Sequence, residues 1–423
     1  MAARVAFRLP GYKDPLNICL LTYRGNPTCG GQGVYIDYLS RALVDLGHNV
    51  DVISGPPYPE LAEGIGLHKL PNLDLYNPDH LFKPDRLSSL MSPINQLEFL
   101  DMSLGGFPEP FTFGLRVYSY FRKKRPRYDI VHDNQSLSYG ILGLPRLGFP
   151  TVATIHHPIT VDRDVAIESA GSALKKLMTR RWYSFLGMQK RVSRRLSHII
   201  TVSERSKKDI SRDFNTSSRK FRIVPNGINT DFFYPLPHIE RSKDQIIVTS
   251  SADTPLKGLR YLLEAVASIR KKRRVELIVI GKPRENGAIE GLIRKLDIGA
   301  CVRFTGRIEY EDFARYYAGA AMAVIPSLYE GFGMPAGEAM ACGVPVISTV
   351  GGALPEVVGD AGLLVPAADS KALEHAIVSL LDNPDKRHRL GMAGLERVKR
   401  SFTWKHAAQK TVDVYREVID AYR

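Results

Sequence analysis

The chain has 423 residues, 44% apolar and 24% charged, globular values on a length that suits two cores better than one. No apolar run reaches the roughly 18 residues needed to cross a bilayer, and the opening Met-Ala-Ala-Arg lacks a signal-peptide core, so a cytosolic protein is expected. The net charge of +14 is local: residues 171–222 hold 15 Lys and Arg against 3 acids, which is +12 of the total.

Leu16–Tyr23 reads as a buried strand, followed by the loop Cys29-Gly30-Gly31-Gln32-Gly33. Val34, Leu39, Leu43 and Leu46 then follow helical spacing and stop at Gly47, a natural C-cap. Val50–Ser54 is a second strand, which completes a βαβ unit. The glycine loop sits in phosphate-binding context, although a tight strand-to-helix turn needs the same residues. It lacks the dinucleotide fingerprint, and Ser54-Gly55 stand where an acid would end the second strand, so a dehydrogenase is disfavoured.

Ile130-Val131, Pro150–Ile155 and His198–Ser203 continue the strand pattern. His156-His157-Pro158 closes the middle one, which puts an imidazole at the carboxyl edge of the sheet. There it can bond a hydroxyl or move a proton, or serve as an ordinary structural histidine. No acid triad or second His pair supports a metal site. The cysteines Cys19, Cys29, Cys301 and Cys342 show neither close pairing nor metal-ligand spacing, and reduced thiols are expected.

The basic segment spaces Leu174, Met178, Phe185, Met188, Val192 and Leu196 at helical steps. Lys175, Lys176, Arg180, Lys190, Arg191, Arg194 and Arg195 fall largely off that stripe. A core-facing helix with a solvated basic face has this pattern, and so does a helix lying on an anionic membrane. Phe107, Phe111 and Phe113 could add a wedge for lipid or an apolar acceptor. Without base-stacking aromatics among the cations, nucleic acid is not expected.

After Val224-Pro225-Asn226-Gly227 and Tyr234-Pro235-Leu236-Pro237 the alternation restarts. Ile246–Ser250, Val275–Ile280, Val302–Thr305, Ala323–Ile325 and Val344–Ser348 read as strands, with a helix over Gly258–Ile269. The expectation is two doubly wound α/β domains, 1–222 and 223–403, facing a central cleft, with the tail at about 404–423 packing back onto the first. Lys257 ends a loop at a helix start, where it opposes the helix dipole, and so suits an anion better than a purely structural role. A solvated lysine is the bland alternative.

Met322–Ile325 leads into Glu330, then Gly331, Phe332, Gly333, Met334 and Pro335 turn into a helix that carries Glu338. A strand, glycine loop and helix start make an anion site, yet two carboxylates stand in it. They would repel phosphate but could grip hydroxyls on either side of it, as in a nucleotide-sugar. A surface turn before an acidic helix is the plain alternative.

Together these stretches resemble the family 4 retaining glycosyltransferases of the GT-B fold over nearly the whole chain. The resemblance is carried by Gly30-Gly31-Gln32-Gly33, Leu-Gly-His-Asn-Val at 46–50, Val224-Pro225-Asn226-Gly227-Ile228, Lys257-Gly258, the Glu330–Glu338 spacing and Gly343-Val344-Pro345-Val346. It implies two Rossmann-like domains and transfer of a hexose from a nucleotide-diphosphate sugar, UDP-linked first and GDP-linked second. The acceptor hydroxyl would belong to a sugar, a small molecule or a lipid.

It further implies that Glu330 grips the donor sugar and Glu338 the ribose. Gly331, Phe332, Gly333 and Met334 would offer backbone N–H groups, while Lys257 meets the diphosphate and Gly31 approaches it. His156 would face the reacting sugar. No metal or other cofactor is expected. One position departs from the family: Ser250-Ser251 replace a usual Gly-Arg pair, and Arg24, Lys282 or Arg307 would have to supply the missing cation. A nucleotide-sugar epimerase or hydrolase, or a non-catalytic binding protein on this scaffold, are the competing readings. The sites assigned to acceptor or membrane are Phe107, Phe111, Lys175, Lys176, Arg180 and Arg191.

Overall fold

The computed structural model describes residues 14–25, 31–77, 81–84, 87–250, 254–309 and 312–423. The chain forms two compact units. One comprises Met1–Val202, Lys207–Val224 and Trp404–Arg423; the other comprises Ser203–Ser206 and Pro225–Thr403.

The first unit is built on strands β1 Asn17–Thr22, β2 Asn49–Ser54, β3 Gly66–Lys69, β4 Ile130–Asn134, β5 Thr151–Ile155, β6 Ile199–Thr201 and β7 Phe221–Ile223. They run parallel in the order β3-β2-β1-β4-β5-β6-β7. Alternation sends Ile18 and Leu20 to one face, beneath the helices Gly31–Asp45 and Trp404–Tyr422, and Cys19 and Leu21 to the other, beneath Glu109–Lys124. A sheet covered on both faces favours apolar residues on both sides of its central strands, which is why β1 and β5 read as nearly continuous hydrophobic runs.

The tail helix belongs to this unit. Trp404 packs edge-on to Tyr35 at 5.7 Å and against Tyr38 at 5.6 Å. Tyr415, buried, meets His132 Nδ1 through its hydroxyl at 2.6 Å. Burying apolar side chains of this size stabilises by about 1.5–3 kcal/mol each, so the tail is an integral layer.

The second unit carries β8 Gln245–Thr249, β9 Glu276–Ile280, β10 Val302–Phe304, β11 Met322–Ile325, β12 Val346–Thr349 and β13 Leu363–Val365. These are parallel in the order β10-β9-β8-β11-β12-β13. In both sheets the chain reverses its direction of growth beside the first strand, between β1 and β4 and between β8 and β11. Such switch points leave a crevice at the carboxyl ends of the strands.

The basic segment differs from the single stripe expected. Helices Ala173–Trp182 and Leu186–Ser193 are separated by a 3-10 turn at Tyr183–Phe185. That turn advances about 120° per residue instead of 100° and shifts the phase of the pattern. Met188, Val192 and Leu196 therefore enter the core, while Leu174, Leu177 and Met178 stay 66%, 62% and 59% exposed. The three phenylalanines do not form a common wedge either: Phe113 is core, Phe111 is half-buried edge-on to Tyr139, and Phe107 joins an aromatic cluster. No helix among the described residues is long and apolar enough to cross a membrane. Cys19, Cys301 and Cys342 are free thiols, and Cys29 lies outside the described residues.

Candidate functional site

At the switch point of the second unit, two loops are locked together by glycine. Gly258, at φ +64, ends the turn Pro255–Lys257 after β8, and a Cβ there would stand 2.0 Å from Pro326 O. Only glycine tolerates both that backbone and that approach. Leu328 N–H donates to Leu256 O at 2.7 Å. The result is that Lys257 Nζ meets Glu330 Oε1 at 2.7 Å, and Ser327 Oγ donates to the same oxygen at 2.8 Å.

Glu330 is held from behind as well. Gly352, at φ +66, leaves room for the Glu330 backbone, which a Cβ would strike at 2.1 Å, and Ala353 N–H donates to Glu330 O at 2.8 Å. The carboxylate thus sits on a fixed backbone with only its side chain free to respond to a ligand.

Gly331 and buried Phe332 lead to Gly333, whose φ of +103 opens the helix Met334–Ala341. Phe332 packs edge-on to Phe402 at 5.7 Å, and the Gly331 carbonyl accepts from Ser203 Oγ at 2.9 Å and Ser206 Oγ at 3.1 Å. Glu338 follows one turn into that helix. Although it keeps some exposure, burial of its carboxyl raises its pKa to about 7, against the pull of a hydrogen bond from Tyr317 and the charge of Lys257. The Tyr317 hydroxyl also pairs with Thr249 Oγ1 at 3.0 Å, next to the end of β8.

Of the cations expected to replace that arginine, Lys282 and Arg307 are exposed, on loops after β9 and β10, and Gly281, beside Lys282, lies so close to Ser250 that a Cβ there would stand 2.2 Å from the Ser250 carbonyl oxygen. Arg24 forms an ion pair with Glu109 at 2.9 Å in the first unit. Ser250 is buried and its hydroxyl has no hydrogen-bond partner among the described residues. Ser251 and Gly30 lie outside the described residues.

At the switch point of the first unit, polar residues at the end of β4 organise the site. Asn134 Nδ2 donates to Gln32 O at 3.2 Å, and Asn134 Oδ1 faces His156 Nε2 at 2.8 Å. This places the proton on Nε2. Gln135 Oε1 accepts from His156 N–H at 2.9 Å, and Tyr35 stands edge-on to the imidazole at 4.6 Å. Burial, then the nearby imidazoles of His157 and His132, push the His156 pKa down to about 3, so the ring is neutral at ordinary pH.

Gln135 and Leu137 hold left-handed φ values of 58° and 48°. Asp133 fixes this strained turn by accepting from Ser136 Oγ and, at 2.8 Å, from Leu137 N–H. His157 turns elsewhere and pairs with Asp162 at 2.9 Å. Gly31 begins its helix exposed, with nothing within 4 Å of a Cβ, so packing does not require glycine there.

The structure therefore joins Lys257, Glu330 and Glu338 in one unit, gives His156 a half-buried polar setting in the other, and leaves Lys175, Arg180 and Arg191 exposed and Lys176 half-buried. Ser327, Tyr317, Asn134 and Gln135 were not singled out in the sequence. A signal was present for the last two, since a polar run directly after Ile130-Val131 marks the carboxyl end of a buried strand.

Family models match both parts of the chain: "Glycosyltransferase Family 4" over residues 29–232 and "Glycosyl transferases group 1" over residues 236–397. The chain is 45% identical to the MMP alpha-(1->4)-mannosyltransferase of Mycolicibacterium hassiacum, across 96% of its own length and 98% of the relative's. A D-inositol 3-phosphate glycosyltransferase of Kineococcus radiotolerans is 25% identical, across 94% and 93%. Among solved structures, a sucrose-phosphate synthase of Thermosynechococcus elongatus superposes with a TM-score of 0.69 at 28% identity, covering 96% of this chain and 100% of that one.

Proposed function

This chain belongs to glycosyltransferase family 4, and we propose that it moves a hexose from a nucleotide-diphosphate sugar to a hydroxyl of a saccharide acceptor, with retention and without a metal. That it is a glycosyltransferase of the GT-B fold follows from the membership. The finer reading is carried by one observation: Lys257 and Glu330 meet at 2.7 Å across the switch point between β8 and β11.

In the proposed mechanism an arriving diphosphate draws the Lys257 ammonium to itself, where charge-assisted bonds contribute about 1.5–3 kcal/mol each. Glu330 is thereby released to accept hydrogen bonds from sugar hydroxyls. Glu338 grips the ribose. As the donor bond breaks, Lys257 and the helix start at Gly333–Met334 stabilise the negative charge developing on the leaving diphosphate, and no bound cation is called on for that step. His156, neutral and with its Nε2–H held by Asn134, accepts a hydrogen bond at Nδ1 from a hydroxyl at the reacting end. Gly31, open above its Cα, leaves room for a phosphate.

Because the 45% identical relative is a mannosyltransferase, mannosyl donors on uridine or guanosine diphosphate are the first to test. Titration calorimetry against a panel of nucleotide-sugars is expected to give saturable heat for at least one. No heat with any of them overturns the reading. Turnover of that donor is expected to persist in excess chelator and to keep the donor's anomeric configuration; an inverted product contradicts the mechanism.

A second reading concerns the acceptor side. The helix Ala173–Trp182 buries none of its residues and presents Leu174, Leu177 and Met178 beside Lys175 and Arg180. This supports peripheral binding to an anionic membrane, each cation adding about 1 kcal/mol near the surface. The protein is expected to float with anionic vesicles at low salt and to stay behind with neutral ones. Equal behaviour with both would remove the membrane from the picture.

A further inference from the structure

The second unit carries an open cavity of about 650 Å³ at the amino ends of β9 and β10. The loops of Lys257 and Glu330 follow the carboxyl ends of β8 and β11, at the opposite edge of the same parallel sheet. Four guanidinium groups line the cavity, those of Arg270, Arg273, Arg274 and Arg303, against one carboxylate, Glu276. Its volume falls in the range of small-ligand sites, about 300–1,000 Å³.

The kind of cation matters. Residues 270–274 read Arg-Lys-Lys-Arg-Arg, and the three arginines line the cavity while Lys271 and Lys272 do not. Arg270 closes the helix Leu259–Arg270, where a cation suits the helix dipole. The dipole has no bearing on Arg303, which reaches the same place from β10, the edge strand. A guanidinium is a planar fork that takes phosphate oxygens two at a time, and an ammonium is only a point charge.

Two of the four are held loosely. Arg274 Nε stands 3.4 Å from Asp244 and Arg303 Nε 3.8 Å from Glu276, ion pairs longer than hydrogen bonds. These arginine side chains are 90% and 59% exposed, so water screens both pairs and an arriving anion can displace the carboxylates. The other two are anchored: Arg273 donates to Asp382 Oδ1 at 2.5 Å and Arg270 to Asp297 O at 2.6 Å. Two fixed cations thus stand beside two that can turn to a ligand.

We infer that Arg270, Arg273, Arg274 and Arg303 form a second anion site, for a small ligand that carries two or more phosphate groups. Four cations against one acid leave the lining at +3, with Asp244 and Asp382 meeting Arg274 and Arg273 from outside it. One phosphate monoester brings about −1.5 to −2 near pH 7 and falls short of that charge. Two or more match it and give each fork an oxygen pair. The inference stands apart from the transfer reading, since it calls on neither donor nor acceptor.

The probe is tripolyphosphate, and the reporter is Cys301, a half-buried free thiol in the cavity lining. At ten times its Kd, tripolyphosphate is expected to slow alkylation of Cys301 by iodoacetamide about tenfold, as mass action requires. Peptide mass spectrometry reads the rate at that thiol alone. The same protection is expected in Lys257→Ala, which separates this site from the one at the other edge of the sheet. In Arg274→Gln and in Arg303→Gln the concentration for half protection should rise about tenfold, from the loss of a charge-assisted fork. Both side chains are exposed, so both variants should melt as the wild type does. No protection in the wild type, unchanged half protection in both arginine variants, or protection lost in Lys257→Ala would each overturn the site. So would equal protection by sulfate at matched ionic strength, or protection by an RNA oligomer and not by tripolyphosphate.

Discussion

Lys257→Ala is expected to lower kcat for sugar transfer by about 10²–10³-fold, the usual cost of removing one group that stabilises a developing anion. Folding should change little. Lys257 is partly exposed, and a partly exposed ion pair contributes about 1 kcal/mol or less. Glu330 also keeps its bond from Ser327 Oγ. Lys257→Arg should recover part of the rate by restoring the charge. A steady-state assay beside a thermal melt checks this, and an alanine variant with near-normal kcat would remove Lys257 from the chemistry.

His156→Ala is expected to cost about 10²-fold in kcat, within the range for a positioned hydrogen-bonding or proton-handling group. Donor affinity should be nearly unchanged, because the residue lies in the other unit from Lys257 and Glu330. The pH dependence has a definite sign. With its native pKa near 3, below the ordinary value of about 6.5, His156 takes up a proton more readily in the unfolded chain. It therefore costs stability progressively as pH falls from about 6.5 towards 3, and variants without it should lose part of that slope. Over the same logic the rate between about pH 7 and 9 should not titrate with His156. A kcat that survives the alanine change would leave the imidazole a structural part only.

Much of this site was legible before folding, for physical reasons that can be named. Gly258, Gly333 and the Glu330–Glu338 spacing are local signals, because backbone sign and helix start are set by the residues themselves. So is Gly47, which ends its helix at φ +88. The restart of the strand pattern after Pro225 follows from the same periodicity.

What escaped depends on long-range placement. Tyr317 meets Glu338 from the preceding helix, Asp312–Gly319, and nothing in its own neighbourhood marks it. Glu109 sits in an unremarkable Pro-Glu-Pro and becomes unusual only when folding buries it against Arg24, which raises its pKa to about 8 through burial first. The basic segment misled because a 3-10 turn of three residues changes phase without leaving a trace in the spacing. The short strands β3, β7 and β13 leave no mark in the sequence because three or four residues carry too little pattern.

The central claim is that Glu330 reads the sugar and not the nucleotide. Titration calorimetry of Glu330→Gln against the donor and against its free nucleoside diphosphate tests it directly. The expected result is a donor affinity about tenfold or more below wild type, from the lost charged acceptor, with the nucleoside diphosphate bound as tightly as before. Equal donor affinity in variant and wild type, or equal losses for donor and nucleotide, would contradict it.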